Sequence, residues 1–143
     1  MELIIGGCFQ GKSAFARTRY QELTKTVCSQ EKWFSMAADG REDAWEAAWT
    51  APAVEHVQQY IRRISLDEGT MEEKKQRISQ WMETMREKNP QAILVMDEVG
   101  CGVVPMEKVE RDYRDLAGYA GQCAAKEAER VYRVFCGIGR RIK

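Results

Sequence analysis

Eight residues near the N-terminus, Gly6-Gly7-Cys8-Phe9-Gln10-Gly11-Lys12-Ser13, match the pattern G-x-x-x-x-G-K-S. Nothing else in the chain constrains the fold as much, because the pattern demands a buried strand before it and a helix after it. Both are legible. Glu2-Leu3-Ile4-Ile5 is a short apolar run stopped by glycine, and Ser13 through Leu23 reads as a helix. Gly6 and Gly11 permit backbone angles and a close approach that a Cβ would block. The loop amides and the helix N-terminus then point at phosphate oxygens. Lys12 is expected to reach the β- and γ-phosphates, and the Ser13 hydroxyl to take a place on Mg²⁺. The expected ligand is a nucleoside triphosphate, ATP or GTP. A plain glycine turn before a helix is the alternative.

A second signal is Ile93-Leu94-Val95-Met96-Asp97-Glu98. An apolar strand ending in Asp-Glu reads as a Walker B element. There Asp97 would hold Mg²⁺ beside Ser13, and Glu98 would orient or deprotonate an acceptor. The bland alternative is a strand followed by two solvated carboxylates. Val99-Gly100-Cys101-Gly102-Val103-Val104-Pro105 follows. It either touches substrate, as loops at the carboxyl ends of strands do, or merely connects strand to helix.

The rest of the chain alternates strand and helix signals. Trp33-Phe34-Ser35-Met36 reads as a short strand and Asp39-Gly40 as a turn. Thr50-Ala51-Pro52 reads as a helix start capped by Thr50, with Val54, Val57, Ile61 and Ile64 on one face. Thr70-Met71-Glu72-Glu73 is a capping box opening a helix with Met71, Ile78, Trp81, Met82 and Met85 at helical spacing. It stops before Asn89-Pro90. Ala92 to Met96 lacks polar alternation, as suits a strand buried on both faces. Pro105 is expected to open another helix, with Gly118 and Gly121 as candidate breaks in it. Val131 to Cys136 reads as a last strand, after which Gly137 and Gly139 bend the tail. The expected fold is a single α/β domain over residues 1–143.

Composition narrows the function classes. The chain has 143 residues, with 22 Lys+Arg against 22 Asp+Glu, so no field of one sign favours nucleic acid. No leader peptide or membrane span is legible. Five cysteines without a C-x-x-C pair, and one histidine, argue against zinc and for reduced thiols in a cytoplasm. That histidine, His56, reads as a surface or packing residue of the helix opened by Pro52. Trp45, Trp49 and Tyr60 read as packing rather than as a base-stacking platform. Lys74, Lys75, Arg77, Glu72 and Glu73 read as a solvated helix face.

The segment Asp97-Glu98-Val99-Gly100-Cys101-Gly102-Val103-Val104-Pro105, followed by Tyr113-Arg114-Asp115-Leu116-Ala117-Gly118, resembles the adenosylcobinamide kinase / adenosylcobinamide-phosphate guanylyltransferase family. That family reads N-E-V-G-x-G-I-V-P and then F-R-D-x-A-G-x-x-N-Q. The glycine loop and the tail Cys136-Gly137-Ile138-Gly139-Arg140-Arg141-Ile142-Lys143 are similar to it as well. The resemblance implies a P-loop domain of recombinase type, with a mostly parallel sheet flanked by helices, often in a trimer. It implies phosphorylation of the aminopropanol hydroxyl of adenosylcobinamide, then GMP transfer from GTP through a guanylylated histidine.

Departures from the family pattern shape the expectation. The chain is shorter than family members. The nucleophilic histidine that precedes K-D-G-R-P is absent, because Met36-Ala37-Ala38 stands before Asp39-Gly40-Arg41. The family's middle strand, ending in a carboxylate and then C-L-T-x-W, has no evident counterpart. Gln10 replaces a loop serine, and Gly121-Gln122 replaces Asn-Gln. The expected function is therefore phosphoryl transfer to a cobinamide hydroxyl, with guanylyl transfer in question. The alternative is a nucleotide-binding relative without transferase activity, in a regulatory or assembly role. The expected site residues are Gly6, Gly7, Cys8, Phe9, Gln10, Gly11, Lys12 and Ser13 for nucleotide, Ser13 and Asp97 for Mg²⁺, and Lys12 and Glu98 for catalysis.

Overall fold

The computed structural model describes residues 1–25, 33–36 and 47–143. In chain order the elements are β1 (Glu2–Gly6), α1 (Lys12–Thr24), β2 (Phe34–Ser35), β3 (Ala53–Glu55) and α2 (Val57–Leu66). There follow α3 (Met71–Lys88), β4 (Ile93–Asp97), α4 (Lys108–Glu127), β5 (Arg130–Phe135) and β6 (Ile138–Arg141). The six strands form one sheet in the order β2-β3-β4-β1-β5-β6. All neighbours pair in parallel except β5 and β6, which make an antiparallel hairpin. The α/β, mostly parallel architecture expected from the sequence is present.

The central strands feed two cores because consecutive side chains leave opposite faces of the sheet. Leu94 and Met96 of β4 pack with Leu3 and the buried faces of α2, α3 and α4. Ile93 and Val95 pack with Ile4, Val134 and Ala16 of α1 on the other face. This two-sided burial is why β4 reads as an unbroken apolar run. The capping box at α3 forms as expected, with Thr70 accepting from the Glu73 amide and Glu73 accepting from the Thr70 amide. Trp49 and Tyr60 pack their rings against Trp81. Trp45 and the Asp39-Gly40 turn lie outside the described residues. No helix among the described residues is long and apolar enough to cross a membrane.

Three sequence expectations are corrected. Thr50-Ala51-Pro52 does not open a helix. The Pro52 carbonyl accepts from the Ile93 amide, and Ala53 and Val54 then pair with Ile93 and Leu94 as strand β3. Val54 is a strand residue whose side chain joins the same core as Val57, Ile61 and Ile64, so a helical stripe was read across a strand-to-helix junction. Next, α4 starts at Lys108 rather than at Pro105, with Glu107 in the cap position. It also runs unbroken through Gly118 and Gly121, since Leu116, Ala117, Ala120 and Ala124 anchor its buried face on either side of them. The tail does bend at Gly137 as expected, and it then turns back as β6 and pairs with β5.

Candidate functional site

The site lies at the carboxyl edge of the central strands. Gly6 ends β1 opposite Asp97 at the end of β4, and the Glu98 amide donates to the Gly6 carbonyl at 2.8 Å. The chain then turns through Gly7 to Gly11 into α1. Gly11 stands at φ +83° and supplies no side chain to cap the helix, so no cap side chain covers the first-turn amides of α1. No acidic residue lies in that first turn to neutralise the helix dipole. Gln10 clamps the loop in place. Its carbonyl accepts from the Gly137 amide at 2.8 Å, and its Oε1 accepts from the Cys136 amide at 2.7 Å. The residue that departs from the family pattern thus ties the loop to the β5–β6 hairpin.

The glycines have separate reasons. A Cβ on Gly6 would stand 2.3 Å from the Val134 carbonyl oxygen of β5, so strand packing demands glycine there. At Gly11 the left-handed backbone demands it. Among the described residues, four non-glycine residues have positive φ. Three of them, Phe9, His56 and Cys136, ring this loop. Such strain concentrates where function over-determines the backbone.

Lys12 is buried and reaches back over the loop. Its Nζ donates to the Gly7 carbonyl at 2.7 Å and stands 2.5 Å from Asp97 Oδ1. Asp97 is held in turn by Gln58, whose Nε2 donates to Asp97 Oδ2 at 2.9 Å and whose Oε1 accepts from the Asp97 amide at 3.1 Å. Gln58, on the first turn of α2, has no signal in the sequence, because nothing there brings α2 to the end of β4.

Glu55 was missed as well. It ends β3 and is 6% exposed, and its Oε1 has no partner among the described residues. An unpaired buried carboxylate oxygen is costly unless a ligand meets it. Where the sequence showed no middle strand, the structure has a three-residue one, β3, that ends on a carboxylate. His56 follows it, not inside a helix but at the N-terminus of α2, with Nδ1 3.0 Å from Ser35 Oγ. Lys12, Ser13, Glu55, His56, Gln58 and Asp97 all line one cavity of about 490 Å³ with the glycine loop.

Glu98 is not in that cavity. Its Oε2 accepts from Arg133 Nε at 3.1 Å and Nη2 at 2.9 Å, and it lines a second cavity of about 950 Å³ under α4. Asp97 lines both cavities. Arg114 donates to the Gly100 carbonyl at 2.6 Å and so fixes the Val99–Pro105 loop on the rim of the second cavity. Tyr113 lies under the Arg62 guanidinium, which also pairs with Glu110 and joins α2 to α4. Burial raises the pKa of the Tyr113 phenol, with Arg62 opposing and Asp97 and Glu110 adding to the rise. Met36 is fully buried, while Ala37, Ala38 and Asp39-Gly40-Arg41 lie outside the described residues.

Among the described residues no group of three His, Cys, Asp or Glu side chains is placed to hold a metal. A hydroxyl from Ser13 and a carboxylate from Asp97 nevertheless suit Mg²⁺, which takes one or two protein oxygens and fills the rest from phosphates and water.

A family model described as cobinamide kinase / cobinamide phosphate guanyltransferase matches residues 43–142. The bifunctional adenosylcobalamin biosynthesis protein CobU of Salmonella typhimurium is 45% identical over 51 residues, which cover 36% of this chain and 28% of that protein. Its Escherichia coli namesake shows the same identity over the same shares. The matched stretch is thus well under half the length of either relative.

Proposed function

The chain belongs to the cobinamide kinase / cobinamide phosphate guanyltransferase family, and from that premise we propose that it transfers the γ-phosphoryl group of a nucleoside triphosphate to the aminopropanol hydroxyl of a cobinamide. The observation that carries this reading is the uncapped N-terminus of α1 with Lys12 drawn between Gly7 and Asp97. A P-loop of this build is a ready-made cradle for phosphate oxygens. ATP and GTP are both accommodated by the reading.

The steps follow from the residues. The Gly7–Ser13 amides and Lys12 hold the β- and γ-phosphates and stabilise the charge that builds on them. Ser13 and Asp97 would hold Mg²⁺, which supplies further neutralisation of that charge when bound. Gln58 fixes the Asp97 carboxylate for this task. The hydroxyl oxygen attacks the γ-phosphorus, the bond to the β-phosphate bridging oxygen breaks, and the hydroxyl proton passes to a carboxylate. Glu55 suits that last role better than Glu98 does. Its Oε1 is buried and unpaired among the described residues, and Glu55 lines the glycine-loop cavity, whereas Glu98 is occupied by Arg133 on the other side of Asp97. Glu98, Arg133 and Arg114 would instead meet the acceptor's polar groups in the larger cavity, which is roomy enough for a bulky alcohol.

The test is label transfer from γ-labelled ATP and GTP, with and without cobinamide. Label on cobinamide is the expected result. Nucleotide binding without transfer to cobinamide would overturn the reading in favour of a nucleotide-binding relative without this activity.

A further inference from the structure

His56 is the chain's only histidine, and the fold holds it in an unfavourable place. Its backbone lies at φ +59° and ψ +37°, the left-handed region that a Cβ penalises. It occupies the cap position of α2, yet its side chain makes no capping hydrogen bond. Capping therefore does not account for it. What the conformation does is set the ring on the wall of the P-loop cavity, anchored through Nδ1 to Ser35 on the neighbouring strand β2. With Nδ1 engaged, Nε2 is the ring atom left for a ligand. In the tautomer where the Ser35 hydroxyl donates to Nδ1, the ring carries its proton on Nε2.

The surroundings point to an anion at that atom. The uncapped N-terminus of α2, a ten-residue helix, opens on the same cavity as that of α1. The buried Oε1 of Glu55 beside His56 has no partner among the described residues, an independent sign that a ligand meets this wall, though at this oxygen with a donor such as an acceptor hydroxyl rather than with a phosphate oxygen. The other titratable groups lining the cavity are Cys8 and Lys12 on the loop and Asp97 on β4. Lys12 pairs with Asp97 on the same cavity that Glu55 and His56 line, so with Lys12 on the β- and γ-phosphates, as the function proposed above requires, the terminal phosphoryl group would face Asp97, Glu55 and His56.

We propose that His56 is a catalytic residue that grips the terminal phosphoryl group, its Nε2–H donating to a γ-phosphate oxygen while Ser35 holds the ring. The site would then be completed by a nucleoside triphosphate and not by a diphosphate. This rests on the nucleotide-site part of the function proposed above, but not on the identity of the acceptor.

The experiment compares binding of the imido analogue of GTP with binding of GDP, both with Mg²⁺. The variants are His56→Gly and Ser35→Ala. Glycine suits φ +59°, so His56→Gly is expected to keep or raise thermal stability while removing the ring. We expect it to weaken the triphosphate analogue about 10-fold or more and to leave GDP within about twofold. Ser35→Ala should lose a smaller part of the same preference. Because the histidine is unique, its Hε1 resonance reports directly, and it should shift with the triphosphate analogue and not with GDP. Equal losses for both nucleotides, or a resonance indifferent to the γ-phosphate, would overturn the role of His56 and leave the transfer reading standing. Absence of binding by either nucleotide would overturn both. Intact His56 discrimination with no label transfer to cobinamide would overturn only the transfer reading.

Discussion

The Lys12 ammonium stands 2.5 Å from Asp97 Oδ1, so the loop's only lysine and the carboxylate at the end of β4 are paired before any phosphate arrives. Phosphates entering the loop therefore compete with Asp97 for the ammonium, and a cation that takes over Asp97 frees it. Lys12→Ala should weaken ATP and GTP roughly 10- to 100-fold, as loss of a hydrogen bond to a charged group does. The fold should survive. Calorimetric titration measures this, and unchanged affinity would remove Lys12 from the nucleotide site.

Asp97 carries the second expectation. If its carboxylate holds Mg²⁺ with Ser13, Asp97→Asn should abolish the gain in nucleotide affinity that Mg²⁺ gives the wild type. Gln58→Ala should produce a milder form of the same defect, because Gln58 donates one hydrogen bond to the carboxylate and accepts another from the Asp97 backbone amide. Titrations with and without Mg²⁺ decide the matter, and an unaltered metal dependence in Asp97→Asn would rule the residue out as a ligand.

Gly6 separates a packing role from a binding role. A Cβ there would sit 2.3 Å from the Val134 carbonyl oxygen, which is backbone and cannot rotate away. Gly6→Ala should therefore cost about 3 kcal/mol of stability by forcing β1 and β5 apart. Chemical unfolding measures the loss. A Gly6→Ala variant of wild-type stability with weakened nucleotide binding would mean that the glycine serves the phosphates instead.

Most of the sheet was legible because its signals are local and redundant. Glu2 to Gly6, Ile93 to Asp97 and the capping box at Thr70 each combine pattern with punctuation. Residues 50–58 were misread for a physical reason. A three-residue strand followed directly by a helix puts Val54, Val57, Ile61 and Ile64 into one core, and that spacing mimics a single amphipathic helix. The error hid three site residues at once. Glu55 ends the unrecognised strand, His56 takes the strained junction, and Gln58 reaches Asp97, 39 residues away in sequence. Parallel pairing of β3 with β4 creates those contacts, and no local pattern announces it. Glu98 illustrates the opposite case. Its sequence neighbour Asp97 lines the glycine-loop cavity, but Arg133 on β5 draws Glu98 to the other side.

The structure also predicts an acid-sensitive element away from the site. Glu2 is buried on β1 and accepts from Arg19 Nε and Nη2 at 3.0 Å each and from Arg130 Nη1 at 2.8 Å. Burial pushes its pKa up, but the bonds and charges of Arg19 and Arg130 outweigh that and leave it below the ordinary value. The native value is thus lower than the unfolded one. Its stabilisation is complete above about pH 4.3, the unfolded value, and fades as pH falls toward the depressed native value. Glu2→Gln should cost about 3 kcal/mol at neutral pH. The difference from wild type should shrink below about pH 4. Urea unfolding across pH 3 to 7 reads this directly, and a pH-independent difference would assign the loss to packing.

The last expectation is that no covalent guanylyl-histidine forms. Two-step GMP transfer needs a nucleophile in line with the α-phosphorus, opposite the departing pyrophosphate. The family nucleophile stands before the D-G-R stretch. Here that stretch follows Met36-Ala37-Ala38, and Met36 is fully buried. A thioether and two methyl groups offer no activated lone pair. His56 lines the cavity beside the glycine loop, which at first sight makes it a substitute. Its position argues otherwise. It lines the same cavity as Glu55 and Asp97, and Asp97 pairs with Lys12, the lysine proposed to serve the β- and γ-phosphates. In the proposed nucleotide site the ring would therefore meet the terminal phosphoryl rather than the far side of the α-phosphorus. Its Nδ1 is also tied to Ser35, which restrains it from swinging along the phosphate chain. GMP transfer, if it takes place on this chain, must then use direct attack by the cobinamide phosphate. Incubation with α-labelled GTP and analysis for an acid-labile adduct makes the distinction. We expect no stoichiometric label on the protein. A label that disappears in His56→Gly would move the imidazole to the α-phosphate and restore two-step guanylyl transfer to this chain.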